Sequence, residues 1–330
     1  MSLAGHGNIT RSCRDDLSSF FQEQIWPILL LQFLLAIVGN GFAIYRFLTY
    51  KQKWNINMVY SFNLAVSDLL YAFSLLPIIL YYFPPKDWIY GHALCSLDRF
   101  FFFCNLYGST FFIACISLNR WVAIVHPIFA HGRMKSYHAK LLSGAVWLLV
   151  AAISTPVLSF STLNYVSEYN ITQCLGSASS EQLPKYWPYS LFLLAFGFGL
   201  PFVLTSISCG GIIYTIHHNH NVTAMNKCKV KALVSVVVIL YIIFYLPFHI
   251  LQNLYLSHRM RTKEDCGALI PTSFQVAKIL VHFHICIHPL VYTSQANSMQ
   301  KYFSRCFQRW NNVPGEGNNV ELRLQDRLPS

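Results

Sequence analysis

The sequence predicts an all-α fold, a bundle of seven membrane-spanning helices with a short amphipathic helix after the seventh. Three observations carry this: an apolar composition, seven long apolar runs, and short connections between them. Of 330 residues, 54% are hydrophobic, 16% aromatic and only 11% charged. A soluble chain carries roughly 25% charged residues, so this one cannot cover a water-facing surface. An ordinary cytosolic enzyme, a disordered chain and a coiled coil are excluded. The membrane is its solvent.

A bilayer core needs about 20 mainly apolar residues per helix. Such runs fall at about 25–47, 58–83, 97–124, 141–162, 187–216, 231–256 and 272–294. Pro77, Pro156, Pro201, Pro247 and Pro289 lie inside them. Each would cost about 3 kcal/mol in a soluble helix, whereas neighbouring groups in a membrane bundle re-satisfy the freed carbonyls. Residues 1–24 are polar and resemble no cleavable leader, so the first span is expected to act as its own insertion signal. Residues 25–297 form the transmembrane domain.

Lysine and arginine placement sets the orientation. With the N-terminus outside, the inner side receives 15 of the 24 basic residues. Asn8 and Asn170, each heading an Asn-Ile-Thr acceptor, then fall outside as glycosylation sites, and the C-terminus lies in the cytoplasm. Residues 298–310 place Met299, Tyr302, Phe303, Cys306 and Phe307 on one face and Lys301 and Arg305 on another. That segment suits the lipid interface, with Cys306 positioned for acylation. Residues 311–330 are expected to be disordered and carry one hydroxyl side chain, Ser330.

The net charge of +11 does not indicate nucleic-acid binding, because the basic residues sit in short clusters between apolar runs. Of ten cysteines, Cys13, Cys95, Cys174 and Cys266 fall on the outer side, where two disulfides are expected. Four cysteines allow three pairings. No phosphate-binding loop, zinc-protease motif or nucleophile elbow occurs, so an enzyme is not expected.

Polar residues inside the spans are functional candidates. Asp68 lies about 15 Å into the second span, and Asn105 and Ser109 on the third could share a small cation, such as sodium, with it. This is a candidate switch site. Arg99 follows Cys95 by one turn, and Phe102 and Phe103 continue its stripe. Lys278 lies about three turns outward of Pro289, and His249 follows Pro247 by two. Basic groups from three helices at one depth suggest a pocket for an anion.

Several motifs together resemble the rhodopsin-like (class A) G-protein-coupled receptors over most of the chain. They are Gly39-Asn40, Asn63-Leu64-Ala65-Val66-Ser67-Asp68, Cys95, Asn119-Arg120-Trp121, Trp147, Pro201, Pro247 and His288-Pro289-Leu290-Val291-Tyr292. Within that family the chain is similar to the metabotropic purinergic nucleotide receptors, through Arg99, Leu246-Pro247-Phe248-His249 and Gln275-Val276-Ala277-Lys278. The resemblance implies a plasma-membrane receptor for extracellular nucleotides, ATP foremost, coupled through Gq to phospholipase C and through Gs to adenylyl cyclase. It implies Cys95–Cys174 and Cys13–Cys266 disulfides. The implied ligand set is Arg99, Phe102, Phe103, His249, Gln252, Gln275 and Lys278. The implied coupling and switch set is Asn119, Arg120, Trp121, Pro247, His288, Pro289 and Tyr292.

The chain departs from the family pattern in four places. Gln252 replaces a basic residue, Cys209 a tyrosine, Asn119 an acid and His288 an asparagine. A basic vestibule at Arg259, Arg261 and Lys263 could offset the first. With so few hydroxyls in the tail, weak arrestin recruitment is expected. A dicarboxylate or lysophospholipid receptor of the same fold is the alternative, since two cations do not require three phosphates. Phe102 argues against amine ligands, and His282 stands where photoreceptors keep their retinal lysine. A transporter or channel is the remote rival, lacking inverted repeats.

Overall fold

The computed structural model describes residues 16–50, 54–84, 86–167, 170–175, 178–179, 181–218, 224–261 and 269–289, with most side chains from Gln24 onward. Asn8, Cys13, Cys266, Tyr292, Cys306 and the 298–310 segment lie outside the described residues.

Among the described residues, seven helices are long and apolar enough to cross a membrane: Gln24–Leu48, Ile56–Tyr82, Gly91–Val125, Ser136–Phe160, Leu183–His218, Val230–Arg261 and Leu269–Pro289. Asn55 starts the second, its side chain accepting a hydrogen bond from the Met58 N–H at 2.9 Å. That satisfies one of the donors a helix N-terminus leaves unpaired. Many leucines, isoleucines and phenylalanines on the first, fourth and fifth spans remain exposed, including Leu31, Phe42, Leu148 and Ile207. This is the outward apolar surface lipid requires.

The third span runs through the middle. Its buried residues include Arg99, Phe102, Asn105, Tyr107, Ser109, Phe112 and Arg120. It is longer than its apolar run suggests, starting at Gly91 rather than near residue 97. With that added turn and a half in front of it, Asp98 at the start of the apolar run is buried in the bundle, as Asp68 is.

Several sequence marks act as ties between spans. Asn40 donates to the Ile285 carbonyl at 2.9 Å, and Gln32 to the Ile279 carbonyl at 3.1 Å, joining the first and seventh. Trp147 Nε1 donates to Asn63 Oδ1 at 2.9 Å, joining the fourth and second. Gly39 is small because the seventh span is close: a Cβ there would lie 2.9 Å from Pro289 Cγ.

Prolines reshape the fifth and sixth spans. A π-helical turn covers Leu193–Gly199 just before Pro201, and another covers Tyr241–Tyr245 just before Pro247. Proline cannot bond to the preceding turn, and on the fifth span a side chain of the third bonds the carbonyl that Pro201 leaves free. Thr110 Oγ1 donates to the Gly197 carbonyl at 2.9 Å, and Tyr241 OH donates to the Thr110 carbonyl at 2.8 Å. A Cβ at Gly197 would run into the Tyr107 ring, which is fully buried. Gly197→Ala is therefore expected to lower the melting temperature of the purified protein, at an overpacking cost of about 1–3 kcal/mol. Unchanged thermal unfolding would show that the ring has room to move.

One feature departs from the all-helical expectation. Thr162–Val166 (β1) and Ile171–Leu175 (β2) pair antiparallel, Leu163 opposite Cys174. Thr162 therefore begins a strand and does not end the fourth span. Cys174 is disulfide-bonded to Cys95 with Cα atoms 5.8 Å apart. Trp88 N–H donates to the Thr172 carbonyl at 2.9 Å, and Thr172 N–H to Asp87 Oδ1 at 2.7 Å. The hairpin is thus anchored across one end of the bundle. Asn170 sits exposed at its turn with φ of 53°, a conformation asparagine tolerates; its Oδ1 accepts from Tyr165 OH at 2.6 Å.

Candidate functional site

Near the hairpin end, the first, second, third and seventh spans line a partly open cavity. Ile25, Leu29, Leu75, Ile78 and Ile279 form an apolar wall. Asp98, Arg99, Gln275 and Lys278 supply the polar groups, with Phe102, Tyr71, Tyr82 and His282 completing the lining. At the aromatic floor, Tyr71 OH meets His282 Nδ1 at 2.5 Å, and the Phe102 ring stands edge-on to His282 at 5.2 Å between centroids. An apolar cavity with a few convergent polar groups is what a small-molecule site requires.

Arg99 and Lys278, expected on one pocket, do share it. Phe102 and Gln275 join them. Three other expected ligand residues do not. Phe103 stacks on Tyr107, with centroids 5.8 Å apart. His249 is buried among Tyr107, Phe198 and Phe248. Gln252 Nε2 donates to Tyr186 OH on the fifth span at 3.2 Å. The reason is rotational. Successive residues turn by about 100° around a helix, so Phe102 and Phe103 flank Arg99 on opposite sides. The cavity lies on the Phe102 side, toward the second span, and His249 is on the other. The same rotation puts Asp98 with Phe102. Asp98 is only 7% exposed, both Arg99 and Lys278 act on it electrostatically, and sequence reasoning passed over it. The 100° spacing from Arg99 was the available signal. Of the expected basic vestibule, Arg259 donates to the Ala178 carbonyl at 3.3 Å and lies over the Tyr255 ring.

Deeper in the bundle, Asp68 is fully buried in a network joining four spans. Asn105 Nδ2 donates to Asp68 Oδ1 at 3.0 Å, and His288 Nδ1 meets Asp68 Oδ2 at 2.9 Å. His284 Nε2 meets Asn105 Oδ1 at 2.9 Å, and Tyr245 OH lies 3.4 Å from His288 Nε2. His282, His284 and His288 are all buried, although a regular helix would turn the first away. A tightened turn at Phe283, bonded to Leu280 O and followed by Cys286 N–H to Phe283 O, brings them to one side. Ser109 is buried nearby. A sodium ion would need the carboxylate and amide oxygens that these nitrogen groups engage. The donor set therefore does not fit sodium.

At the opposite end, Arg120 is buried on the third span, and Asn119 Nδ2 donates to Asn57 Oδ1 at 2.6 Å, tying the third span to the second. Trp121 packs on Gly211 of the fifth, where a Cβ would collide with the indole.

Residues 39–292 match the family of seven-transmembrane receptors of the rhodopsin family. The chain is 38% identical to purinoceptor 11 of Homo sapiens over 88% of its own length and 84% of that protein's. It is 32% identical to purinoceptor 1 of Gallus gallus over 92% and 84%, and 32% identical to purinoceptor 1 of Mus musculus over 88% and 79%. The chain belongs to the rhodopsin-like receptors, in their purinoceptor branch. This receptor is a multi-pass membrane protein and not an enzyme. Its seven membrane-spanning helices agree with that family.

Proposed function

We propose that the protein is a cell-surface receptor for an extracellular nucleotide, ATP foremost, that signals through a heterotrimeric G protein. The observation that carries this is Arg99 and Lys278, from two different spans, lining one cavity beside Gln275. Its relatives bear purinoceptor names, which supports a nucleotide over other anions. The hairpin end faces outside, with the N-terminus and Asn170, and the Arg120 end faces the cytoplasm. Phosphate oxygens would accept charge-assisted hydrogen bonds from the guanidinium and the ammonium. The apolar and aromatic walls would hold the rest.

Binding shifts the resting equilibrium only by the ligand's differential affinity for the two states. Drawing the third and seventh spans toward the anion strains the network at Asp68 and His288, which reaches the sixth span through Tyr245. The sixth span then pivots where its π-helical turn meets Pro247, opening the Arg120 end. Coupling is to Gq, with Gs as a second route, and arrestin recruitment is weak.

The test is to expose cells expressing the full chain to nucleotides, dicarboxylates and lysophosphatidates while reading calcium and cyclic AMP. A response to ATP and not to the others supports the nucleotide reading. A response confined to lysophosphatidates would favour the second reading, an amphiphilic anion, to which the wall of Ile25, Leu29, Leu75, Ile78 and Ile279 is suited. Asn119 leaves Arg120 without an adjacent acid on its own helix, so basal signalling is expected to be raised. Asn119→Asp should lower ligand-free second messenger at equal receptor number; equal or higher basal signal would contradict this.

A further inference from the structure

The Asp98 carboxylate is out of place in a site for an anion. It is 7% exposed, it lines the cavity beside Arg99 and Lys278, and its Oδ1 has no hydrogen-bond partner among the described residues. Arg99 Nε is likewise without one. A buried carboxylate oxygen without a donor costs free energy. A ligand that brings only negative charge would add repulsion to that cost. A ligand that also brings a hydroxyl would relieve both.

We propose that Asp98 is a specificity-determining residue, its carboxylate accepting hydrogen bonds from the sugar hydroxyls of a ribonucleotide whose phosphates are held by Arg99 and Lys278. This rests on the nucleotide reading and goes further, because it names the part of the ligand that is read. The donor must lie close to the anion, since Asp98 adjoins Arg99 on one helix and both face the same cavity. On a nucleotide the donors nearest the phosphates are the 2′ and 3′ hydroxyls. The amino group of the base lies at the far end. Tyr82 and Ile78 of the second span line the same cavity.

The test uses the full-length receptor in cells, with surface receptor number measured, and ATP, 2′-deoxy-ATP, 3′-deoxy-ATP and inosine triphosphate as probes. A hydrogen bond to a charged group corresponds to a potency change of about ten- to hundredfold. Wild type should lose that much on removal of at least one hydroxyl. Asp98→Ala should lose it for ATP and respond equally to ATP and the deoxy nucleotides. Asp98→Asn keeps a neutral acceptor and should fall between, which guards against a misfolded alanine variant. A deoxy penalty absent from wild type, or undiminished in both variants, overturns the proposal. So does a penalty for inosine triphosphate that vanishes with Asp98, since this would assign the carboxylate to the base. Failure of wild type to respond to any nucleotide is a different result and removes the underlying reading.

Discussion

Arg99→Glu and Lys278→Glu are each expected to abolish the ATP response while receptor still reaches the cell surface. Neutral replacement would remove one charge-assisted hydrogen bond, a loss of about 1.5–3 kcal/mol. Reversal adds like-charge repulsion against phosphate, in a place where Asp98 already contributes a negative charge. The combined effect should exceed about a hundredfold in potency. Arg99→Gln and Lys278→Gln should shift the dose–response curve about ten- to hundredfold and retain the maximum. This grading separates ligand contact from collapse of the site. An unchanged curve for either reversal, at equal surface number, would remove that residue from the ligand contacts.

Asp68→Ala should both destabilise the receptor and uncouple it. The substitution removes the Asp68 partner of Asn105 Nδ2 and of His288 Nδ1, at 3.0 and 2.9 Å in the intact network, leaving Asn105 Nδ2 only Ser67 Oγ at 3.2 Å. Each buried group left without a partner costs about 1–3 kcal/mol, so thermal unfolding of the purified receptor should fall by several degrees. Signalling should fall further than binding, because the network connects the cavity-forming spans to Tyr245 on the sixth. Asp68→Asn preserves an acceptor and should be milder on both counts. Because nitrogen donors engage the oxygens sodium would use, replacing sodium chloride by choline chloride should leave wild-type unfolding unchanged. Clear stabilisation by sodium that Asp68→Ala removes would instead place the ion there.

Much of the fold was legible before any coordinates. The seven spans, the buried Asp68 and the pairing of Arg99 with Lys278 all followed from run lengths and spacing, and the Cys95–Cys174 disulfide from family resemblance. The site was legible only in part. Gln275, Lys278, Arg99 and Phe102 meet at the cavity, whereas Phe103 stacks on Tyr107 and His249 and Gln252 pack against the fifth span. His282 joins the site because it follows Lys278 by one regular turn of the seventh helix. The β hairpin was hidden because its strands are short and only half buried. Asp98 was missed because it is the second residue of the apolar run, where a charge is ordinarily turned to water, whereas the helix begins at Gly91 and buries it.

The division has a physical cause. Whether a segment crosses a bilayer depends on its own length and polarity, and both are local properties of the chain. The number of spans, their prolines and the residues available at each depth were therefore determined by the sequence itself. Which side of the third helix looks into the cavity depends on how far that helix is rotated against its neighbours. A single residue corresponds to about 100° of that rotation. Packing against the second and fifth spans sets it, which is why only the assembled bundle could place Asp98 beside the two cations and His249 behind them.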